Sequence, residues 1–414
     1  MFNLIDVINQ AISGHYESNS IEFKKCSTDC PALYETLSSF SNQDNGGCIV
    51  LGIDEKNDFK PIAIKDIQKC IAQVQQQCHA MEPEVNASIE VVPYGKVHLI
   101  CISVPGIGSA QRPCFIRKNG VFNGSYVRVG DGDIHMSATE VHNYLNFRQQ
   151  TSDDIQPCGG PDDLDPTAIE SFLIHLAESH PKLYGLGREK ALNLLHVSNQ
   201  GSSTLAAQLM FGVYPQQFLP CAVINATCSQ GTVYASTLPD GQRFIDSQRL
   251  DGNISDMLKG ALAFVRRNTR MAIVVDPATA MRADRPEYPE IAIRELLLNA
   301  LLHRDYSRYT SGEAISLNLF ADRLEITNPG GIYGGYSLQS IEEHYTRSLR
   351  NPVLTSLVEM SGLTENRGTG LAVAAQAMSA RGLPSPKYEV VYSHFKATLF
   401  NNQAAPVTSY FNKA

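Results

Sequence analysis

Four ionisable residues near the start of the chain could share one task. Glu17 and Glu22 stand five apart in "HYESNSIEFKK", Lys24 follows Glu22 by two, and Asp54 closes the apolar run "CIVLGID". Three carboxylates suit a hard divalent ion such as Mg²⁺ or Mn²⁺. Such an ion can orient a phosphodiester and generate hydroxide, while the Lys24 ammonium offsets charge at the scissile phosphate. The plain alternative is three wet carboxylates on strand ends, and spacing alone leaves both open.

A second set lies in "YPEIAIRELLLNALLHRDY", residues 288–306, where Glu295, Asn299 and His303 recur every fourth position. On a helix they share one face. Every other residue from 296 to 302 is apolar, so the stripe either looks at water or must find partners, because a buried unpaired polar group costs about 1–3 kcal/mol. Further on, "ENRGTGLAVAAQAM" puts Gly368 and Gly370 just ahead of a helix. Free backbone N–H groups and the helix dipole favour a phosphate there.

These residues need elements to hold them. "LYETLSSFSN" has helical spacing through Leu33, Leu37 and Phe40, and Asn42 to Gly47 predicts a turn before the buried strand that ends at Asp54. "IQKCIAQVQQQC" is helical, with Ile67, Ile71, Val74 and Cys78 on one face. "NASIEVV" and "VHLICISV" predict paired strands across Pro93-Tyr94-Gly95, and "CFIRKNGVFNGSYVRVGDGD" predicts two strands around glycine turns. The polar stretch 151–164, "TSDDIQPCGGPDDL", predicts a linker. Helices, then the strand signals of "CAVINATCSQGTVYAST", then the helix "ISDMLKGALAFVRRN" predict a middle connector over 165–285. "AISLNLFADRLEITNPGG" reads as a hairpin, with Asp322 in its turn. The expectation is an α+β chain with domains over 1–150, 165–285 and 286–405.

Composition bounds the rest. A chain of 414 residues with 43% hydrophobic and 18% charged residues can bury a core in each of two or three domains. No apolar run is long enough to span a membrane. The start "MFNLIDVINQAI" has no basic region ahead of an apolar one, which predicts no export signal and a cytoplasmic protein. Ten scattered cysteines then read as reduced core residues. The net charge of −8 argues against general coating of nucleic acid. Residues 91–130 nevertheless hold Lys96, Arg112, Arg117, Lys118 and Arg128 and no acidic residue, a candidate surface for phosphates.

The motifs "ESNSIEFKK", "FSNQDNGGCIVLGIDEKNDFKPI" and "RPCFIRKNGVFNGSYVRVGD" together resemble the Schlafen/AlbA-type domain of bacterial regulators and animal Schlafen proteins. The resemblance implies a nucleic-acid-binding fold. From its nucleolytic members it also implies RNA cleavage by a carboxylate trio with a divalent metal, here Glu17, Glu22 and Asp54, with Lys24 beside them. Residues 286–400 resemble the Schlafen-associated divergent ATP-binding domain, related to the GHKL or Bergerat-type ATPases. That likeness implies a Bergerat-like α/β sandwich in which Glu295 is the water-activating base and Asn299 a magnesium ligand. His303, Arg304 and Asp305 complete an "HRDY" signature, and Gly368 and Gly370 lie at the phosphates. Where that fold usually has Asp-x-Gly-x-Gly this chain reads "NPGG", so Asn328, with Gly330 and Gly331, stands at the adenine edge with an amide rather than a carboxylate.

Two functions follow as expectations. One is a metal-dependent Schlafen-like endoribonuclease acting on transfer RNA or other structured RNA, with a C-terminal module that senses ATP or another nucleotide. The other is a non-catalytic, ATP-responsive DNA-binding transcriptional regulator of the RecG-like bacterial family. Such regulators often add a winged-helix tail, for which the ending "NNQAAPVTSYFNKA" leaves no room. A homodimer would supply the second lobe with which Schlafen cores clamp RNA.

Overall fold

A computed structural model describes residues 9, 19–199, 201–235, 241–275, 282–336, 338, 341, 348–363, 370–391 and 393–401. The chain divides into two units, residues 1–151 and 152–414. Among the described residues no helix is long and apolar enough to cross a membrane.

The first unit is built on a four-stranded sheet. Its strands are β1 (Ile21–Lys24), β2 (Gly47–Leu51), β5 (Ser88–Tyr94) and β6 (Val97–Val104), in the order β1-β2-β6-β5. β1 runs parallel to β2, and the other pairs are antiparallel. Alternation along β2 and β6 buries both faces. Ile49, Leu51, Ile100 and Ile102 pack with Leu37 and Phe40 of α1 (Tyr34–Ser41) and Val74 of α2 (Ile67–His79). Val50, Leu99 and Cys101 pack on the opposite side with Ile21, Phe23 and Ile53. The expected strand through Asp54 is interrupted at Gly52, whose φ of +102° favours glycine, and resumes as the short β3 (Ile53–Asp54), paired with β4 (Lys60–Pro61). An Asp66 side chain that accepts from Lys69 N at 2.9 Å starts α2.

Two local expectations shift. The hairpin turn falls on Gly95-Lys96, because Tyr94 still pairs with Val97, and Pro93 is accepted inside edge strand β5. "RKNGVFNG" is not a strand and a turn but a 3-10 turn, Arg117–Asn119, and a helical turn, Val121–Gly124. Strands β7 (Tyr126–Val129) and β8 (Gly132–His135) then form a hairpin, and α3 (Ala138–Gln149) opens with a Ser137/Glu140 capping box.

The second unit has one continuous core around a six-stranded sheet. Its strands are β9 (Ile224–Cys228), β10 (Asp246–Leu250), β11 (Ile315–Leu319), β12 (Arg323–Pro329), β13 (Lys387–Val391) and β14 (His394–Phe400), in the order β10-β9-β11-β12-β14-β13. The segment expected to be a connector thus supplies two strands of this sheet, since β9 pairs parallel with β11 at Ile224 and Ile315. Helices α4 (Pro166–Ser179), α5 (Leu205–Phe211), α6 (Ile254–Asn268), α7 (Glu290–His303), α8 (Pro352–Met360) and α9 (Gly370–Ala380) are among those of this unit, and α7 packs on α6, α9 and β12. Leu296, Leu297, Leu298, Leu301 and Leu302 of α7 are all buried, which accounts for the leucine-rich run. The expected linker is also more ordered than its composition suggests: it contains two 3-10 turns and a buried Asp154.

Candidate functional site

In the first unit, alternation along β1 sends Glu22 and Lys24 to the α1 side of the sheet. Glu22 is buried, 4% exposed, and both of its oxygens are engaged. Oε1 meets the Lys24 ammonium, and Oε2 accepts from Arg128 Nη2 at 2.7 Å. Arg128, on β7, also meets Asp133 Oδ1 at 3.1 Å and lies over the Phe40 ring at 5.2 Å. Asp133 accepts in turn from Thr36 Oγ1 at 2.6 Å and Ser39 Oγ at 2.5 Å. The result is a charged network tying β1, α1 and the β7–β8 hairpin. Asp54, at the rim, is paired with the exposed Lys25 at 2.8 Å.

Glu17 lies outside the described residues. Among those described, no group of three or more His, Cys, Asp or Glu is placed to hold a metal. The described donors do not fit Mg²⁺ or Mn²⁺: Glu22 already has a cation on each oxygen, and Asp54 has one of its own.

The stretch 91–130 is less basic in space than in sequence. Arg112 is buried, donating from Nε to Ile107 O at 3.0 Å and from Nη2 to Asp44 Oδ1 at 2.8 Å. Arg128 is buried as described above. Arg117 is exposed but sits beside Glu82 at 3.2 Å and Glu84 at 3.7 Å. Lys96 and Lys118 face water. The cysteines are all free, and the closest described sulfurs, Cys26 and Cys70, stand 3.4 Å apart.

In the second unit the polar stripe of α7 meets the start of α9. A Cβ placed on Gly370 would fall 2.6 Å from Asn299 Nδ2, 3.1 Å from Glu295 Oε2 and 3.3 Å from Asn299 Oδ1. Only a residue without a side chain brings the α9 N-terminus so close to this amide and carboxylate. On β12, Asn328 shares a face with Leu324 and Ile326, whose side chains belong to the core that includes α7. Asn328 is 4% exposed, and its Oδ1 has no partner among the described residues. A buried acceptor left unpaired is costly, so it marks a place where a ligand donor would be stabilising.

Gly330 and Gly331 follow with φ of +113° and +55°. A Cβ on Gly330 would meet Asp305 Cβ at 2.5 Å. Arg350 clamps this turn: it donates to Asp305 Oδ2 at 2.9 Å, to Gly330 O and to Gly331 O at 3.3 Å, and lies over the Tyr333 ring at 5.1 Å. Arg304 turns away to Glu313 O at 2.6 Å and Cys221 O at 3.3 Å, while Asp305 Oδ1 receives Ser307 N at 2.8 Å. Arg304 and Asp305 therefore brace the α7 end. His303 is half-buried, and burial, with Arg350 nearby, pushes its imidazole down to about 4. Gly368 lies outside the described residues.

Glu295, Asn299 and Gly370 are thus brought together, while Asn328, Gly330 and Gly331 sit at the end of β12. This donor set fits a magnesium nucleotide. Glu295 and Asn299 offer oxygens for the ion, the α9 N-terminus suits phosphate, and Asn328 Oδ1 can accept from the amine of a base. Arg350 and Asn351, which hold the Gly330–Gly331 turn and the α7 end, were not singled out from the sequence. The signal was Pro352, which fits a first helical turn, preceded by two polar residues that the fold buries.

Comparisons with known proteins agree with this division. Residues 17–137 match the family model "Schlafen, AlbA_2", and residues 312–399 match the one described as "Putative ATP-dependent DNA helicase recG C-terminal". The second match covers Asn328 and the glycines but begins after α7. Among solved structures, the DIP2311 protein from Corynebacterium diphtheriae is 20% identical, with a TM-score of 0.45 over 96% of this chain and 80% of that one. The N-terminal domain of "Putative ATP-dependent DNA Helicase RecG-related Protein" from Nitrosomonas europaea is 22% identical, with a TM-score of 0.25 over 33% of this chain and 94% of that one. No curated protein matches. The chain therefore joins an N-terminal Schlafen/AlbA_2 domain to a C-terminal domain of the RecG type.

Proposed function

We propose that the protein is a nucleotide-responsive nucleic-acid-binding protein. Its N-terminal domain holds RNA or DNA by the backbone, and its C-terminal domain takes ATP or a related purine nucleotide as the controlling ligand. The observation that carries the reading is the approach of Gly370 to Glu295 and Asn299, which places a helix N-terminus against two oxygen donors. The unpartnered Oδ1 of Asn328 supports it independently. Bound ATP would bring the anionic oxygens and the magnesium. The chain's own part is to hold them, with Asn299 and Glu295 on one side and the α9 backbone on the other.

Non-cleaving action is favoured at the N-terminal domain, because Glu22 is committed to Lys24 and Arg128. The cleaving alternative keeps one observation in its favour, a carboxylate and a part-exposed ammonium, Glu22 and Lys24, side by side on one strand. Cleavage that is present in the wild type and lost in Glu22→Gln would restore it.

The test is calorimetric titration of the purified chain with ATP and Mg²⁺, followed by anisotropy of labelled duplex DNA and of labelled transfer RNA with and without ATP. Saturable ATP binding that weakens at least tenfold in Asn299→Ala is the expected result. No ATP binding to the wild type would reject the reading.

A further inference from the structure

We propose that Asn328 leaves the nucleotide site open to either purine, so that GTP binds about as well as ATP. The inference rests on the nucleotide-binding reading above and names the bases that the site admits.

Asn328 is 4% exposed and shares the face of β12 whose Leu324 and Ile326 enter the core with α7. The polar stripe of α7 runs from Glu295, beside Gly370, to His303, eight positions and about 12 Å along the helix. Two residues past His303, Asp305 N donates to Pro329 O at 3.0 Å, so the end of the stripe reaches the residue next to Asn328. A nucleotide with its phosphates at Gly370 and its length along the stripe presents its base to Asn328.

The protein does not fix the Asn328 amide. Its Oδ1 is buried without a partner, and its side chain makes no hydrogen bond among the described residues. Other buried asparagines differ. Asn42 is held at both ends, with Nδ2 donating to Cys114 O at 2.9 Å and Tyr126 O at 3.0 Å and Oδ1 accepting from Cys114 N at 2.7 Å. Asn351 is held through Nδ2 by Leu302 O at 2.9 Å and Arg304 O at 2.8 Å. Asn328 alone of these three is free to turn its amide over and exchange donor for acceptor.

The charged groups described around this end do not make the choice instead. Arg350 is spent on Asp305 and on the Gly330 and Gly331 carbonyls, and Asp305 Oδ1 on Ser307 N. Arg304 is spent on Glu313 O and Cys221 O, and the Glu313 carboxylate pairs with His394 at 3.2 Å. Burial keeps His303 uncharged near neutral pH. Adenine offers an amine at position 6 and an acceptor at N1, whereas guanine offers a carbonyl at position 6 and an N1–H. In one orientation Oδ1 accepts from the adenine amine while Nδ2 donates to N1. In the other, Nδ2 donates to guanine O6 while Oδ1 accepts from N1–H. Each purine gains two hydrogen bonds, so neither is preferred.

The test is calorimetric titration of the full chain, with Mg²⁺ present, by ATP, GTP and purine riboside triphosphate, which carries only hydrogen at position 6. In the wild type the ATP and GTP Kd values should agree within about threefold, less than the worth of one hydrogen bond. Purine riboside triphosphate should bind about three- to tenfold more weakly than ATP, because one hydrogen bond is lost. Asn328→Leu should weaken ATP and GTP alike by at least about fivefold and erase the penalty for purine riboside triphosphate. Leucine removes an unpaired buried acceptor, so burial gives no reason for a folding defect. A larger ATP/GTP ratio in the wild type overturns the proposal, as does equal wild-type affinity for ATP and purine riboside triphosphate. Wild-type affinities in Asn328→Leu overturn it as well, and if that variant does not fold the wild-type series decides. Binding of neither ATP nor GTP to the wild type is a separate outcome: it removes the nucleotide reading and this inference with it.

Discussion

Arg128 Nη2 donates to Glu22 Oε2 at 2.7 Å across 106 residues of chain, with both side chains buried. The residue expected to hold phosphate thus holds the carboxylate expected to hold a metal. Arg128 is also bound to Asp133, so it neutralises two acids in the same small volume.

Removing Arg128 should accordingly be a folding defect before it is a binding defect. Arg128→Met leaves the buried Glu22 and the partly buried Asp133 with less compensation, and losing one partner of a buried pair typically costs about 3–5 kcal/mol. Glu22→Gln should cost less, because Arg128 keeps Asp133 and an amide oxygen can still accept. Urea melts of the two variants check the order. A more stable Arg128→Met than Glu22→Gln would mean the network contributes little.

Gly370→Ala should separate folding from ligand binding. Alanine is the better helix former by about 1 kcal/mol, so helix propensity gives no reason for a loss of stability. The added methyl group would press on Asn299, 2.6 Å away, and on Glu295. ATP affinity should fall about tenfold, equivalent to about 1.4 kcal/mol, with the melting temperature little changed. Calorimetry beside thermal unfolding reads both, and unaltered ATP affinity would place the phosphates elsewhere.

What was legible in the sequence follows from range. Alternation and helical spacing are local, so the paired strands of "NASIEVV" and "VHLICISV" and the α7 stripe of Glu295, Asn299 and His303 could be read directly. The hairpin through Arg323 and Asn328 could be read for the same reason. Arg112 and Arg128 were counted as surface cations because a sequence displays charge and not burial. Their partners, Asp44 and Glu22, are 68 and 106 residues away. The middle segment looked like a connector for a similar reason: strand β9 gains its neighbour β11 only after the chain has travelled through α6 and α7. Asp154 sat in what read as a linker, and nothing near it predicts that its carboxylate caps a helix 200 residues on.

The exposed lysines now carry the electrostatic expectation for nucleic acid. Each phosphate contact on duplex DNA contributes about 0.9 to the slope of log K against log salt. Replacing Lys96 and Lys118 together by alanine should reduce that slope by up to about 1.8 if both touch phosphates. Arg112→Ala should alter stability and leave the slope unchanged, since its guanidinium is spent on Asp44 and Ile107 O. Anisotropy titrations at several salt concentrations distinguish the two. An unchanged slope in the double variant moves the contact surface off this stretch.

His303 should give the second unit an acid-side weakness. Its imidazole is held down to about 4 by burial and by Arg350, against an ordinary value near 6.5. Below pH 6.5 the unfolded chain takes up a proton that the folded chain refuses. The unfolded state then binds more protons, and stability falls with pH until the folded histidine titrates near 4. Full expression of the shift would cost about 3 kcal/mol, and the partial solvent exposure of the ring reduces this to about 1–2 kcal/mol. Most of the loss should fall between pH 6.5 and 4, with the stability offset flat above that window. His303→Gln has no proton to gain and should flatten the slope without changing stability at pH 8 by as much. Urea denaturation from pH 8 to pH 4.5 provides the check. Parallel curves for wild type and variant would show that the imidazole titrates normally and that Arg350 does not reach it.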